Sequence, residues 1–446
     1  MKTLVDVCLA CAIVALVMLV SRQLQTRTSV IVWDAGQYYR VATQYAAGRT
    51  PYAESPYVFR IAVPWLVSKG WPTDPPRGFF IINRVSAFII AIVLILWLRA
   101  WAITGWISLV VVTLVAGAWH GPMRYLFYNP GYVDPPFLVF LLIGLLLIRW
   151  IEQASSPIKI LLLTLLSAAG ALVRETMLLV PLCFLMVNGP VAALIRGRRR
   201  SSLPVPVSAL VLPLVSCVAA IAYTHRIVAV DATERASMLQ AALQWLHKTP
   251  DSYAMGWLTA FGPILAIIAF DWRRALRLLA DHEWLGALLA ACIVLSFIGG
   301  SDTERFAFWS LPIVYLLLAR AIEHHAGILR SAPLLVALVV SQSVAARVFW
   351  GIPDPQTENA VGLALSSGWG DRLYGIANRL FVIDAFHFNL WSSFGSRSFR
   401  LVRVGLYLIV TAGLIWLMHR RARDREVALG PLARAGYRAE HGRVVE

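Results

Sequence analysis

Charged residues are scarce in this sequence of 446 residues. They make up 14% of the chain, whereas 59% of the residues are hydrophobic and the mean hydropathy is +0.68. A water-soluble protein of this length could not bury so much apolar surface, so the composition excludes an ordinary soluble protein. The apolar runs are continuous and about 15–22 residues long, as in membrane-crossing helices, and the alternating pattern of a membrane β-barrel is absent. The sequence therefore predicts an all-α integral membrane protein.

Motifs for metal binding and for transport are also missing. The five cysteines lie inside apolar runs without CxxC spacing, so they imply neither a zinc site nor a disulfide framework. No HExxH element occurs. No internal repeat is visible, and the predicted spans are nearly free of charge, apart from Asp6 and Arg84 near their ends. Transporters usually carry internal repeats and ionisable groups near the middle of the bilayer. A transporter or lipid-linked-sugar flippase is therefore the weaker interpretation.

Acidic residues are the minority among the charges, with 24 Asp and Glu against 40 Lys and Arg, for a formal net charge of +16. The arginines cluster at the ends of apolar runs and in a basic tail. Positive charge in this position is the usual signal of membrane topology. We therefore expect membrane lipids, and no nucleic acid, among the partners of this chain.

About twelve apolar segments qualify as predicted spans. They are 4–20, 79–98, 103–119, 136–149, 158–173, 176–195, 203–222, 253–270, 284–300, 306–321, 332–349 and 401–418. With the N-terminus in the cytoplasm, the short basic loops all fall on the cytoplasmic side, as the positive-inside rule requires. These loops contain Arg99, Arg149, Lys159, Arg196, Arg273, Arg274, Arg277, Arg320 and Arg330.

The long polar segments divide the chain into three parts. The transmembrane module, 1–350, includes a long outer loop at 21–78; 351–418 combines a second outer loop with the last span; 419–446 is a basic cytoplasmic tail predicted to be disordered. Loops of this length usually have a function. The bias toward Ala, Leu and Arg favours a bacterium, which places the chain in the inner membrane with a site on the periplasmic or extracellular face.

The first outer loop contains WDAGQYYRVATQYAAGRTPYAESPYVFRIAVPWL, which starts at Trp33. Asp34 and Gln37 form a capping-box pattern before a helical stretch that ends at Gly48. Ser55-Pro56 has the composition of a second helix start. The loop is thus predicted to contain two short interfacial helices, and 231–248 a third on the same face.

Further acids fall on the predicted outer face at the ends of spans. They are Asp134, Glu175, Asp302 and Glu304. Each also has a structural interpretation: Asp134 and Glu304 in helix capping, and Glu175 paired with its neighbour Arg174. Ionisable groups gathered on one side, next to Pro and Gly breaks, nevertheless indicate a shared polar cavity.

These segments resemble a known superfamily. WDAGQYY followed by PYVFRIAVPWLV is similar to the first outer loop of GT-C-type polytopic glycosyltransferases, where an aspartate precedes a Tyr-rich helix and an Arg-Ile-x-x-Pro-x-Leu element. VRET and DTERFAFWSLPIVYLL are similar to recurring segments of that superfamily. The span layout matches over most of the chain, and specific motifs match at 33–66, around 134, at 174–181 and at 302–312.

The resemblance implies an inverting transfer of a hexose or pentose from a polyprenyl-phosphate carrier to a lipid, glycan or protein acceptor. It implies Asp34 as general base and Asp134 as a second acid that positions the acceptor or holds a divalent cation. Arg forks match phosphate oxygens, so Arg60, Arg174 and Arg305 are the predicted donor-phosphate ligands. The predicted substrate-binding residues are Trp33, Gln37, Tyr38, Tyr39, Glu175, Asp302 and Glu304.

One departure from the superfamily pattern concerns metal binding. Many members have adjacent paired acids in the first loop, whereas Ala35 follows Asp34 here. The resemblance therefore allows a Mg or Mn ion as cofactor but does not require one.

A lipid-linked-glycan polymerase or ligase is the other enzymatic alternative, because such proteins usually keep key arginines in a late outer loop. Residues of that kind here include Arg372 and Arg379.

Overall fold

The computed structural model describes residues 2–20, 34–103, 105–118, 121–122, 131–188, 205–230, 248–299, 303–346 and 397–428. Within these ranges the chain is helical and forms no β-strand, although Tyr52 and Ala229 make an isolated parallel bridge. Trp33, Asp302, and the segments 231–247 and 351–396 lie outside the described residues. The expectations for an interfacial helix and a functional late loop there stay predictions.

The first half of the chain contains nine α-helices in the described residues. They are α1 (Lys2–Val20), α2 (Asp34–Ala46), α3 (Ala62–Gly70), α4 (Pro75–Ala100), α5 (Trp106–Gly117), α6 (Asp134–Gln153), α7 (Pro157–Val173), α8 (Leu179–Leu185) and α9 (Val207–Ile227).

The second half continues in the same way. Its helices are α10 (Pro250–Phe261), α11 (Leu265–Phe270), α12 (Trp272–Asp281), α13 (Glu283–Ile298), α14 (Thr303–Phe308), α15 (Leu311–Leu329), α16 (Ala332–Ala345) and α17 (Arg397–Ala428). Short 3₁₀ turns occur at Tyr57–Phe59, Glu175–Leu178 and Gly262–Ile264.

The predicted spans coincide, at least in part, with these helices. Six helices or consecutive pairs are long and apolar enough to cross a membrane, or seven if α12 and α13, which are bent by 112°, count as one span. Shorter apolar helices occupy other predicted positions, namely α5, α7, α16 and the Glu175–Leu185 segment. An all-helical, multi-pass membrane architecture is therefore supported, and the count of twelve stays a prediction.

Helix starts follow from local sequence. The Asp74 carboxylate accepts a hydrogen bond from the backbone N–H of Arg77 (3.2 Å) at the start of α4, and Ser156 accepts one from Lys159 (3.4 Å) at the start of α7. Both helices begin with proline, whose lack of an N–H costs no intrahelical hydrogen bond at that position.

The last helix, α17, continues to Ala428, ten residues past the predicted end of its span. The first part of the tail that was predicted to be disordered is therefore helical.

The helices pack around one apolar core, and α4 and α6 cross it side by side. A helix rises about 1.5 Å per residue, so α4 and α6 extend about 39 Å and 30 Å. At their C-terminal end, Arg149 lies over the Trp101 ring (4.0 Å) and Arg320 donates to the Trp101 carbonyl (2.5 Å). The two arginines were both predicted on the cytoplasmic side, and the structure places them at the same end. The opposite end holds the acids discussed next.

Candidate active site

Two aspartates begin helices at the same end of the bundle. Asp34 is the first residue of α2 and Asp134 the first residue of α6. A negative charge is favourable in the first turn because the helix dipole is positive there. Gly131, just before α6, brings the two helix starts together: a Cβ at this position would lie 2.4 Å from the Cβ of Ala35. Only glycine allows this close backbone approach without a shift of α2.

The Asp34 carboxylate is held by two donors from distant parts of the chain. The Tyr57 hydroxyl donates to Oδ1 (2.7 Å), and Nη1 of Arg305 donates to Oδ2 (3.0 Å). Burial, and then the charge of Asp34, raise the pKa of Tyr57 well above its usual value, so Tyr57 remains a donor. The Asp34 side chain is 21% exposed. A carboxylate has about four lone-pair sites, so the two donors leave about two of them open.

Asp134 lies deeper and faces the same arginine. Its Oδ1 is 2.9 Å from Nη1 of Arg174 and 3.9 Å from Nε of Arg305, and it accepts a long hydrogen bond from the indole of Trp309 (3.4 Å). The guanidinium of Arg174 lies 4.6 Å from the Trp309 ring centroid. Among the described residues, Oδ2 of Asp134 and Nε of Arg174 are buried without a hydrogen-bond partner. Each of these atoms can take part in one further hydrogen bond.

Arg60 is fully engaged with protein groups. Its Nε and Nη2 donate to the two oxygens of Glu175 (2.9 and 2.5 Å), and its Nη1 donates to the Tyr38 hydroxyl (2.8 Å). Burial alone would lower the pKa of Arg60, but the charge of Glu175 holds it well above its usual value. Its predicted contact with a donor phosphate stays a prediction, since that contact would first require Arg60 to leave Glu175.

Arg174 and Glu175 do not pair with each other. Arg174 has an extended backbone (φ −160°, ψ 133°) between α7 and the following 3₁₀ turn. Neighbouring side chains of extended backbone point in opposite directions, so Arg174 contacts Asp134 whereas Glu175 contacts Arg60. The simple neighbour pair considered from the sequence is replaced by two ion pairs between separate elements.

Together these side chains bring three guanidinium groups and three carboxylates into one place. The Arg60 group contacts the rest through Tyr57, whose ring centroid lies 5.5 Å from that of Tyr38 and 5.9 Å from the Arg60 guanidinium. We call the whole set the acid–arginine cluster, and its members are Asp34, Tyr38, Tyr57, Arg60, Asp134, Arg174, Glu175, Arg305 and Trp309. Ion pairs this deep are rarely a source of net stability, because desolvation offsets much of their attraction. Their concentration in one place is a reason to look for a function.

Other predicted site residues lie around this cluster in different settings. Tyr38 and Tyr39 are 1% and 6% exposed and pack on Phe79, so neither presents an open ring face to a sugar in this structure. Gln37 is half-buried, and its Oε1 lacks a hydrogen-bond partner in the described part of the chain. Glu304 is fully buried and interacts electrostatically with Arg403 of α17.

Tyr57 and Trp309 were missed by sequence reasoning. Tyr57 lies in the first outer loop among several other tyrosines, and no local pattern distinguishes it from them. Trp309 lies four residues after Arg305, a spacing that places side chains on one helical face. That spacing was a usable signal, although α14 ends at Phe308 and the two side chains meet around Asp134 rather than along a regular helix.

A divalent cation does not fit the described residues. Mg²⁺ prefers six oxygen ligands in octahedral geometry. No group of three or more His, Cys, Asp and Glu side chains suited to a metal occurs in the described ranges, and a guanidinium stands against each carboxylate of the cluster. We therefore derive no chemistry from a Mg or Mn ion, and its involvement stays an untested prediction.

Comparison with known proteins gives only distant similarity. No family model and no curated protein matches the chain. Three crystal structures of the Archaeoglobus fulgidus oligosaccharyltransferase are similar: tethered with an acceptor peptide containing the NVT sequon (TM-score 0.45, 12% identity), in complex with Zn and sulfate (0.46, 13%) and in the apo form (0.44, 13%). The matches cover 82% of this chain but 58%, 56% and 59% of that protein, so this chain spans little more than half its length. Similarity at this level carries no argument about function, which rests on the geometry of the acid–arginine cluster.

Proposed function

We propose that this chain is a membrane glycosyltransferase that transfers a sugar from a polyprenyl-phosphate carrier to an acceptor hydroxyl. The observation that supports this proposal is the approach of Asp34 and Asp134 to a single guanidinium, that of Arg305. A carboxylate that accepts a proton and an arginine that binds a phosphate are the two groups such a transfer needs. The acid–arginine cluster holds both within one network.

In the proposed reaction the acceptor oxygen attacks the anomeric carbon of the donor sugar. The bond between that carbon and the phosphate oxygen breaks, and its electron pair leaves with the polyprenyl phosphate. The acceptor proton passes to Asp34, whose carboxylate has an open lone-pair site and is partly exposed. Attack from the side opposite the phosphate inverts the configuration. Positioned general bases of this kind contribute typically 10²–10⁴-fold to the rate.

Arg174 and Arg305 are the proposed phosphate ligands. Both lie against aromatic rings, with the buried Arg174 over Trp309 and the partly buried Arg305 over Tyr132 (5.0 Å). The buried Nε of Arg174 lacks a hydrogen-bond partner in the described residues and is available to a phosphate oxygen. Charge stabilisation in a dry site is stronger than in water. Asp134 orients both guanidinium groups, so its proposed role is positioning.

The finer features of the proposal are a bacterial inner membrane, about twelve spans, and a cluster on the periplasmic or extracellular side. They rest on the distribution of arginine between the predicted loops. The structure is consistent with that distribution insofar as Arg149 and Arg320 meet at the end of the bundle away from the acid–arginine cluster.

The test compares Asp34→Asn with Asp74→Asn in purified full-length protein reconstituted in nanodiscs. Asp74 is exposed, caps α4 in the same loop region, and asparagine preserves a helix cap. Polyprenyl-phosphate mannose, glucose and arabinose with labelled sugars are offered in turn with a mixed lipid and glycan acceptor pool, and sugar release from the carrier is measured. We expect Asp34→Asn to lower turnover of the accepted donor by about 10²–10⁴-fold, with Asp74→Asn unchanged.

Near-normal transfer by Asp34→Asn contradicts the proposed base. Movement of intact labelled donor across the bilayer without sugar release indicates a flippase instead. If Arg372→Ala abolishes transfer while Asp34→Asn does not, a polymerase or ligase that uses the late outer loop is the better interpretation.

A further inference from the structure

A second charged site lies at the other end of the bundle. A cavity of about 410 Å³ opens between α12 and α15, close to Trp101 and far from the acid–arginine cluster. Its charged lining consists of three arginines, Arg274, Arg277 and Arg320, and two aspartates, Asp271 and Asp281. This volume is within the range of small-molecule binding pockets, about 300–1,000 Å³. The proposed glycosyl transfer makes no use of this cavity.

The helix that forms one wall has the pattern of a membrane-surface helix. In α12, WRRALRLLAD, the apolar residues fall on one face and Arg273, Arg274, Arg277 and Asp281 on the other. The helix is bent by 112° from α13, so it runs across the direction of a span rather than along it. Trp272 and Leu276 are more than half exposed, as expected of side chains that enter the acyl region of a leaflet.

The positive charges of the cavity differ in what they already contact. Arg274 pairs with Asp271 (3.2 Å), which also contacts His325 (3.1 Å). Arg320 donates to Glu323 (2.8 Å) and to a backbone carbonyl. Arg277 is exposed, and the described residues offer it no ion-pair or hydrogen-bond partner. An anion in this cavity would thus contact the guanidinium of Arg277, which has no protein partner in the described residues. The guanidinium groups of Arg274 and Arg320 beside it are already held by protein groups.

We propose that this cavity binds the phosphate of an anionic phospholipid from the adjacent leaflet. Guanidinium groups suit phosphate oxygens, and basic pockets between helices at the membrane surface are suited to acidic headgroups. Free phosphate has the same charge chemistry, but the lining also contains Leu278 and Leu317, and α12 exposes the apolar side chains of Trp272 and Leu276. A ligand with apolar chains attached to its phosphate satisfies both features.

The test measures lipid retention by native mass spectrometry of delipidated, detergent-purified full-length protein. The probes are phosphatidylglycerol, phosphatidylcholine with the same chains, and inorganic phosphate. Arg277→Ala is compared with Arg273→Ala, which removes the same charge from the same exposed helix but does not line the cavity. We expect phosphatidylglycerol to bind the wild type, and Arg277→Ala to weaken its binding about fivefold, the effect of one arginine near an anionic membrane surface.

Arg273→Ala should bind phosphatidylglycerol as the wild type does, and Arg277→Lys should restore most of the binding that Arg277→Ala loses. Equal losses in Arg273→Ala and Arg277→Ala would mean that general surface charge, not the cavity, binds the lipid. Equal binding of phosphatidylcholine, or competition by inorganic phosphate at the lipid concentration, would also overturn the proposal.

Discussion

The ion pair between Asp134 and Arg174 gives the sharpest test of how the cluster is held together. The Arg174 residue is 2% exposed and Asp134 6%, so removal of one partner leaves an uncompensated buried charge. Loss of one member of a buried pair typically costs about 3–5 kcal/mol, whereas replacement of both by apolar residues of similar size is often close to neutral. We therefore expect Asp134→Leu and Arg174→Met each to destabilise the protein, and the double variant to be more stable than either.

The size of the effect follows from chain length. Unfolding entropy is about 2.1 cal/mol/K per residue, or about 0.9 kcal/mol/K for 446 residues. A loss of about 3–5 kcal/mol then lowers the apparent Tm by about 3–5 °C. The assay is the fraction of protein that remains monodisperse by size-exclusion chromatography after a heating series in detergent. Glu323→Gln, which removes an exposed partner of Arg320, is the control and should shift Tm by less than about 1 °C.

Two results would refute this reasoning. If the losses of the single variants simply add in the double variant, the two charges are not coupled. If the double variant regains its Tm and also transfers sugar at the wild-type rate, the pair has only a structural role. We expect recovery of stability without recovery of transfer, because Arg174 would no longer reach the donor phosphate.

Two further changes test the surroundings of Asp34. Tyr57→Phe removes the hydroxyl that donates to Asp34. A hydrogen bond to a charged group is worth about 1.5–3 kcal/mol, so turnover in the sugar-release assay should fall about tenfold or more. The control is Tyr52→Phe, a change at an exposed tyrosine of the same loop, which should have no effect. A similar fall in both variants would exclude a specific role of that hydroxyl. Gly131→Ala forces a Cβ to 2.4 Å from the Cβ of the facing alanine of α2. The resulting shift of α2 relative to α6 should lower turnover about 10²-fold. Gly117→Ala, whose Cβ would meet no atom within 4 Å, is the control and should not change turnover. Normal turnover in Gly131→Ala would show that the spacing of α2 and α6 does not matter for transfer.

Hydropathy predicted most of the helical layout, because a chain in lipid must satisfy its backbone polar groups within helices. The prediction of two short helices in the first outer loop was partly met. α2 begins at Asp34 as the capping-box pattern indicated, whereas Pro56 is followed by a 3₁₀ turn and α3 starts only at Ala62. Hydropathy could not give the 112° bend between α12 and α13. The bend lies at His282, whose ring contacts Glu152 of α6 (2.8 Å), a contact between residues far apart in sequence.

The sequence indicated the acids as candidates, but it did not indicate which residues they contact. A one-sided set of acids implied a shared cavity, and Asp34 and Asp134 do approach one arginine. Nothing local, however, links Arg60 to Glu175 or Tyr57 to Asp34, since these contacts join separate loops. Adjacency in sequence suggested a pair between Arg174 and Glu175 that does not form. The backbone at Arg174 is extended, so its side chain points away from that of Glu175.

The equal numbers of cationic and anionic side chains in the acid–arginine cluster have a thermodynamic consequence. With three of each sign, the cluster has no spare positive charge to neutralise an arriving anion. A donor phosphate must therefore share a guanidinium with a carboxylate or displace that carboxylate. By linkage, each ion pair weakens phosphate binding by as much as the bound phosphate weakens the ion pair.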